Sequence, residues 1–280
     1  MGLISLLISL AAERKLSASF WHFNFTFSKY MAFAKSQNLQ NAITGQLFPL
    51  ALLVVPPLIT FIVFSAISDT LIHLVLSTVV LIVCFGCVKT RDTYKQYLRA
   101  AFRGDLTTSQ LHYEQLLSDK NLTNYGFGQT LVWLNYRYYI AVMLYFVVFG
   151  PVGAVFYRLL CALEEQQQSI ALEDSDSPAL TGMYRKVLFW ADWLPVRIAT
   201  FGLMMVGHFS KGFPHWVENL FDFSKSPQCV LIDVAQQSED IMVDKDDCTA
   251  EPCLLVRLAK RNVLLLLAVV AVLILTGIIS

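Results

Sequence analysis

Four stretches of this chain are long and apolar enough to decide its fold class. They are Leu47 to Ile67 (LFPLALLVVPPLITFIVFSAI), Leu71 to Val88 (LIHLVLSTVVLIVCFGCV), Tyr138 to Leu163 (YYIAVMLYFVVFGPVGAVFYRLLCAL) and Val263 to Ile279 (VLLLLAVVAVLILTGII). A helix of about 20 mostly apolar residues crosses the hydrocarbon core of a bilayer, about 30 Å thick. Inside that core every backbone N–H and C=O must find its partner within the protein, which favours helices. Ser68, Asp69 and Thr70 are all that separate the first two stretches, so these form a tight hairpin.

Two further segments are ambiguous. Leu3 to Ala12 holds ten residues, about 15 Å of helix, and alone enters a bilayer without crossing it. Val187 to Gly207 is long enough but contains Asp192, Pro195 and Arg197, and a charge at the centre of a span costs about 2.5 to 3.5 kcal/mol on insertion scales. The sequence therefore predicts an all-α, multi-pass helical membrane protein, a single integral membrane domain over residues 1–280. It has four transmembrane spans plus one or two short, broken or re-entrant membrane segments.

Composition agrees. Only 15% of residues are charged and the mean hydropathy is +0.55, whereas soluble domains carry about 25% charged residues. Lys and Arg together number 21, as do Asp and Glu, so no basic excess points to nucleic acid. The lipid bilayer is the expected partner.

The placement of the charges sets orientation. Arg14, Lys15, Lys29 and Lys35 face a single acid, Glu13, between residues 13 and 46, and seven basic residues face four acids between 89 and 137. Both regions are expected on the cytoplasmic side. The polar connection 164–186 has Arg185 and Lys186 against five acids, which suits the opposite side, while Arg257, Lys260 and Arg261 return the chain to the cytoplasm before the last span. Either Val187 to Gly207 crosses, or Tyr138 to Leu163 is a re-entrant hairpin folded at Gly150-Pro151. Charge alone leaves both open.

Outside the spans, residues 89–137 place Tyr94, Leu98, Ala101 and Phe102 at helical spacing. Gly104-Asp105 ends that helix, and Thr107 with Gln110 is expected to cap a second one in LTTSQLHYEQLL. The result is a cytoplasmic helical pair. Between Phe20 and Phe33 seven residues are aromatic, as in interfacial segments. Residues 210–262 form a polar region before the last span, and within it the acidic stretch 233–256 reads as a surface loop or linker.

Few residues carry recognisable chemistry. Cys84 and Cys87 have redox spacing, but they end an apolar run instead of beginning a helix, where a thiolate is stabilised. Cys248 and Cys253 lack zinc-spaced partners. His208, His215 and Glu218 could share a helical face, but Gly212 and Pro214 interrupt it. No metal site and no cofactor is expected.

The stronger signal is polar residues among apolar ones: Asn135 and Arg137 in LVWLNYRYYIAV, Arg158 in GAVFYRLL, and Asp192, Trp193, Pro195 and Arg197 in ADWLPVR. A guanidinium in an apolar setting must pair or line a wet cavity. One reading is an ion pair between Asp192 and an arginine that fixes two helices. The other is a pocket for an anionic small molecule built from Arg137, Arg158 and Arg197, since the planar fork of Arg suits carboxylate and phosphate. No nucleophile and base accompany these residues, which argues against an enzyme.

LVWLNYRYYIAV, FGPVGAVFYRLL and ADWLPVRIATFGLMMVGHF, in this order and spacing, resemble the AmpE family of bacterial inner-membrane proteins. The resemblance implies a regulatory role in β-lactamase induction, with a cell-wall-related signal as one candidate ligand. It also implies a distant relation to adenosylcobinamide-phosphate synthase, an amide-forming membrane enzyme of cobalamin synthesis, through Pro195, Arg197, Gly150 and Gly153. Where the synthases carry acids, this chain has Leu134, Leu188 and Phe189. Glu13, Glu164 and Asp192 are the acids that remain. A non-catalytic membrane scaffold is the third alternative.

Overall fold

The computed structural model describes residues 2–13, 23–36, 47–86, 88–120, 122–173, 178–239 and 249–277. Among them the chain is helical and contains no strand: α1 (Gly2–Glu13), α2 (Phe23–Ser36), α3 (Leu47–Ala66), α4 (Thr70–Cys84), α5 (Val88–Phe102), α6 (Leu106–Lys120), α7 (Phe127–Asn135), a π-helical turn (Tyr136–Ile140), α8 (Ala141–Glu173), α9 (Pro178–Val206), α10 (Phe209–Leu220), α11 (Pro227–Gln237) and α12 (Ala250–Leu275). Among the described residues four stretches are, by length and composition, able to cross a membrane: Pro49–Ala66, Phe127–Gln168, Gly182–Val206 and Ala250–Leu275.

This inventory refines the sequence expectation. The second apolar run yields only the 15-residue α4. The charged segment 187–207 lies in α9 as far as Val206, and that helix meets the length and hydropathy of a span. Helices α3 and α4 are joined through Asp69, whose side chain accepts a hydrogen bond from Leu71 N at 2.9 Å and caps α4.

The chain divides into two compact units. The first comprises residues 1–86, 142–188 and 271–280. In it α1 packs along α4, with Leu6 and Leu81 fully buried. Two tyrosines tie other elements to α3: Tyr30 donates to Leu52 O at 3.1 Å and Tyr184 to Pro49 O at 2.7 Å. The aromatic stretch is helical from Phe23 onwards, whereas Phe20, Trp21 and His22 lie outside the described residues.

Within α8 the helix breaks at Gly150 (φ 66°, ψ −156°), a conformation open to glycine and strained for other residues, and Pro151 follows without an N–H to continue the ladder. The chain doubles back there. Tyr145 and Tyr157 stack with centroids 4.9 Å apart, although twelve residues of straight helix would separate them by about 18 Å. At the crossing a Cβ on Gly153 would stand 2.6 Å from Phe149 Cβ, so the limbs meet only because residue 153 has no side chain. Val148 and Phe149 beside the bend are exposed.

The second unit comprises residues 87–141 and 189–270. Helices α5 and α6 form the expected pair. Tyr97 stacks on Phe127 at 3.7 Å and Tyr113 meets its edge at 5.5 Å, with Leu116, Leu131, Leu134 and Tyr138 completing this core. The cap of α6 is not Thr107. Helix α6 begins one residue after Asp105, whose carboxylate accepts from Thr108 N at 3.0 Å and from the hydroxyls of Thr107 and Thr108.

The stretch 233–256 also departs from the loop expectation. Its start belongs to α11, which buries Val230, Leu231, Ile232, Val234 and Ala235, and its end from Ala250 belongs to α12. Cys248 and the middle of this stretch, like Cys87, lie outside the described residues.

Candidate functional site

Helix α9 carries the polar segment singled out above, and the second unit folds around it. Asp192 is buried and accepts a hydrogen bond from Tyr136 Oη at 2.8 Å. Tyr136 opens the π-helical turn, where one extra residue per turn changes the direction in which successive side chains point. The Tyr136 ring stacks on Trp133 at 5.2 Å, and the buried Arg137 guanidinium lies 5.5 Å from the same indole. Asn135, half-buried, immediately precedes the turn.

The Arg197 guanidinium donates to backbone carbonyls. Its Nε donates to Leu220 O at 2.7 Å, its Nη1 to Trp193 O at 2.8 Å, and its Nη2 to Asn219 O at 3.2 Å and Asp222 O at 2.9 Å. Three of these carbonyls lie at or just beyond the C-terminal end of α10. The last carbonyls of a helix lack intrahelical donors and carry the negative end of its dipole, so one guanidinium satisfies both needs. The Arg197 guanidinium also stacks 4.2 Å from the Trp193 ring, which lies parallel to Phe223 at 4.9 Å. Pro195, two residues before Arg197, supplies no N–H to the helix ladder.

This arrangement makes α9 and α10 an antiparallel hairpin. Trp216 Nε1 donates to Arg197 O at 3.2 Å and the Trp216 ring packs on Phe201 at 5.4 Å. At the foot of the hairpin the buried Asn219 donates to His215 O at 2.7 Å and Asp233 Oδ2 at 2.9 Å, and accepts from Lys225 Nζ at 2.8 Å. The neighbouring Asp222 carboxyl is held below the usual carboxylate range, chiefly by the Ser224 hydroxyl and amide. Near the far end, Asn262 of α12 donates to Ala199 O at 2.9 Å.

The other predicted residues belong to the first unit. Arg158 is 2% exposed and its guanidinium lies 4.9 Å from the Phe23 ring. Glu13 is buried at the end of α1, with its carboxylate against Gly86, where a Cβ would stand 2.6 Å from Oε1. Glu164 is buried and accepts from Gln168 Nε2. Asn135, Arg137, Asp192, Trp193, Pro195 and Arg197 thus share one unit, and Glu13, Arg158 and Glu164 share the other.

Sequence reasoning did not find Tyr136, Asn219, Asp233 or Asn262. Asn262 offered a signal, being a neutral polar residue set between Arg261 and a long apolar run. Among the described residues no group of three His, Cys, Asp or Glu side chains could hold a metal ion. His208 is the N-cap of α10, whereas His215 lies inside that helix, 3.8 Å from Asp233 Oδ2.

A family profile described as "Regulatory signalling modulator protein AmpE" matches residues 1–280. The curated "Protein AmpE" of Shigella flexneri is 28% identical over 232 residues, which cover 78% of this chain and 81% of the relative. No solved structure matches the chain. With a family match over its whole length, a helical architecture and four stretches fit to cross a membrane, this chain belongs to the AmpE family of regulatory signalling modulators.

Proposed function

We propose that this protein works in the bacterial inner membrane as a regulator of β-lactamase induction, responding to a cell-wall-related or other anionic small molecule through the polar residues around Asp192. The family match over residues 1–280 carries the regulatory reading. Buried charge supports the ligand reading. Arg137 and Asp192 are each at most 5% exposed, and buried charge is costly enough that proteins concentrate it where structure or function requires it. Asn135, Arg137, Asp192 and Trp193 form the proposed recognition group, with Pro195 and Arg197 shaping the helix behind them. A catalytic role related to the cobalamin synthase has only Glu13, Glu164 and Asp192 as acids, and Asp192 is already engaged by Tyr136.

The test is deletion of the gene in its host, followed by exposure to an inducing β-lactam and assay of β-lactamase activity. The proposal expects an altered induction ratio that the wild-type gene restores. Unchanged induction in the deletion strain would contradict it.

A further inference from the structure

We infer that the bend of α8 is a re-entrant membrane hairpin. Residues 142–163 enter the bilayer and leave it by one face, the face that carries Glu13 and Gly86, and the turn at Val148 and Phe149 is a lipid-contact surface for acyl chains. This inference is independent of the regulatory reading.

The first argument is length. The stretch Phe127–Gln168 has the hydropathy of a span, but α8 folds back at Gly150, so its limbs must be measured singly. The apolar part of the returning limb, Pro151 to Leu163, has thirteen residues. That is about 20 Å of helix, against about 30 Å of hydrocarbon. Completing the crossing would draw Glu164, Glu165 and the glutamines that follow into the core, where charge is costly. Arg158 lies six residues before Glu164, about 9 Å deeper, shallow enough for its long side chain to carry the guanidinium back toward the interface. Tyr145 and Tyr157 stack across the bend, so the entering limb starts from the face at which the returning limb ends.

The second argument is depth, which the first unit supplies from its own contacts. Helix α4 begins beside Asp69 and ends at Cys84, so Asp69 and Gly86 mark opposite faces. The Glu13 carboxylate lies against Gly86 and α1 packs along α4, which sets Gly2 about 16 Å deeper than Glu13. A Cβ on Gly2 would stand 3.5 Å from Phe146 Cε1. Gly150, four residues on, is about 6 Å deeper again, which agrees with the length of the returning limb. On the way out the Arg158 guanidinium lies over Phe23 and close enough to Cys84 for its charge to act on the thiol. Tyr184 then bonds Pro49 O at 2.7 Å, in the first turn of α3, at the end remote from Asp69. Glu164 and Tyr184 therefore lie on one side, although the acids between them suit the other.

The third argument is the surface of the turn. Val148 and Phe149 are 69% and 63% exposed, and no polar side chain occurs between Tyr145 and Tyr157. A turn in water carries polar residues that bond its own backbone. This one suits hydrocarbon, which tolerates few unpaired backbone groups. Only Gly150 leaves the helical conformation, and Pro151 brings no N–H to be satisfied.

Single cysteines test the inference at Ser68 between α3 and α4, at Lys89 three residues beyond Gly86, at Phe149 and at Gln168. Each is treated with a membrane-impermeant maleimide in sealed vesicles of each orientation, on a background whose native cysteines are replaced. The inference expects K89C and Q168C to label from one side, S68C from the other, and F149C from neither until detergent is added. If that background fails to reach the membrane, the native chain carrying each substitution is labelled instead and the modified peptides are read by mass spectrometry. A fluorophore at V148C should be quenched more by lipids brominated deep in the acyl chains than by lipids brominated near the headgroup. Labelling of Q168C from the S68C side, labelling of F149C from either side, or stronger quenching near the headgroup would overturn it.

Discussion

Tyr136 gives its phenolic hydrogen to the buried carboxylate of Asp192 across 2.8 Å, joining the π-helical turn to α9 within the second unit. Replacing the phenol by phenyl leaves the ring in its stack on Trp133 and removes only this donor. Tyr136→Phe should destabilise the protein by about 1 to 3 kcal/mol, the usual cost of leaving a buried acceptor short of a partner. The loss should appear as a lower thermal unfolding midpoint in detergent. An unchanged midpoint would mean that the carboxylate does not depend on Tyr136.

Arg197 presents a sharper contrast, because its partners are four carbonyls arranged around a planar fork. Lysine keeps the charge but not the fork. Arg197→Lys should therefore lower the unfolding midpoint nearly as much as Arg197→Ala. If charge alone mattered, lysine would restore it. Proteolytic cutting near Phe221 to Ser224 should increase in both variants as the end of α10 loosens.

Two glycines separate close packing from backbone strain. A Cβ at residue 202 would meet Asn262 Oδ1 at 2.2 Å, whereas one at residue 104 (φ +76°) would meet nothing within 4 Å. Gly202→Ala should cost about 1 to 3 kcal/mol by overpacking, and the smaller Asn262→Ala partner change should recover part of that loss. Gly104→Ala should cost about 1 to 2 kcal/mol through its left-handed backbone alone, with no such rescue. Unfolding midpoints of the single and double variants check both.

The cap of α6 sets a pH dependence. Hydrogen bonds from Thr108 and Thr107 hold the Asp105 carboxyl down to about 2, below its ordinary value of about 3.9. A carboxylate depressed on folding stabilises the folded state above its unfolded value, and that contribution fades as pH falls from about 4 to about 2. The Thr108 amide resonance should follow this titration in the intact protein. A midpoint near 4 would show that the cap does not hold.

Some of this structure is readable from residues taken in order, and some is not. The apolar runs of α3 and α12 identify themselves by length, and Gly150-Pro151 announces the break in α8. Asp105 was missed because a capping-box pattern two residues later fits equally well without coordinates. The acidic composition of 233–256 hid the end of α11, where Val234 and Ala235 are buried in a helix that packs with α10 and α7. Three of the four carbonyl partners of Arg197 lie 22 to 25 residues further on and meet it only because the chain turns at Gly207. No local pattern encodes that turn. The same holds for Tyr136, whose link to Asp192 spans 56 residues.

The central claim is that the DWLPVR segment supports the regulatory activity, and one measurement bears on it most directly. A strain lacking this gene is complemented with wild type, Arg197→Ala or Arg197→Lys, each at matched abundance in the membrane, and β-lactamase activity is measured after induction. The account predicts that wild type restores the normal induction ratio and that neither variant does. Full restoration by Arg197→Ala would contradict it.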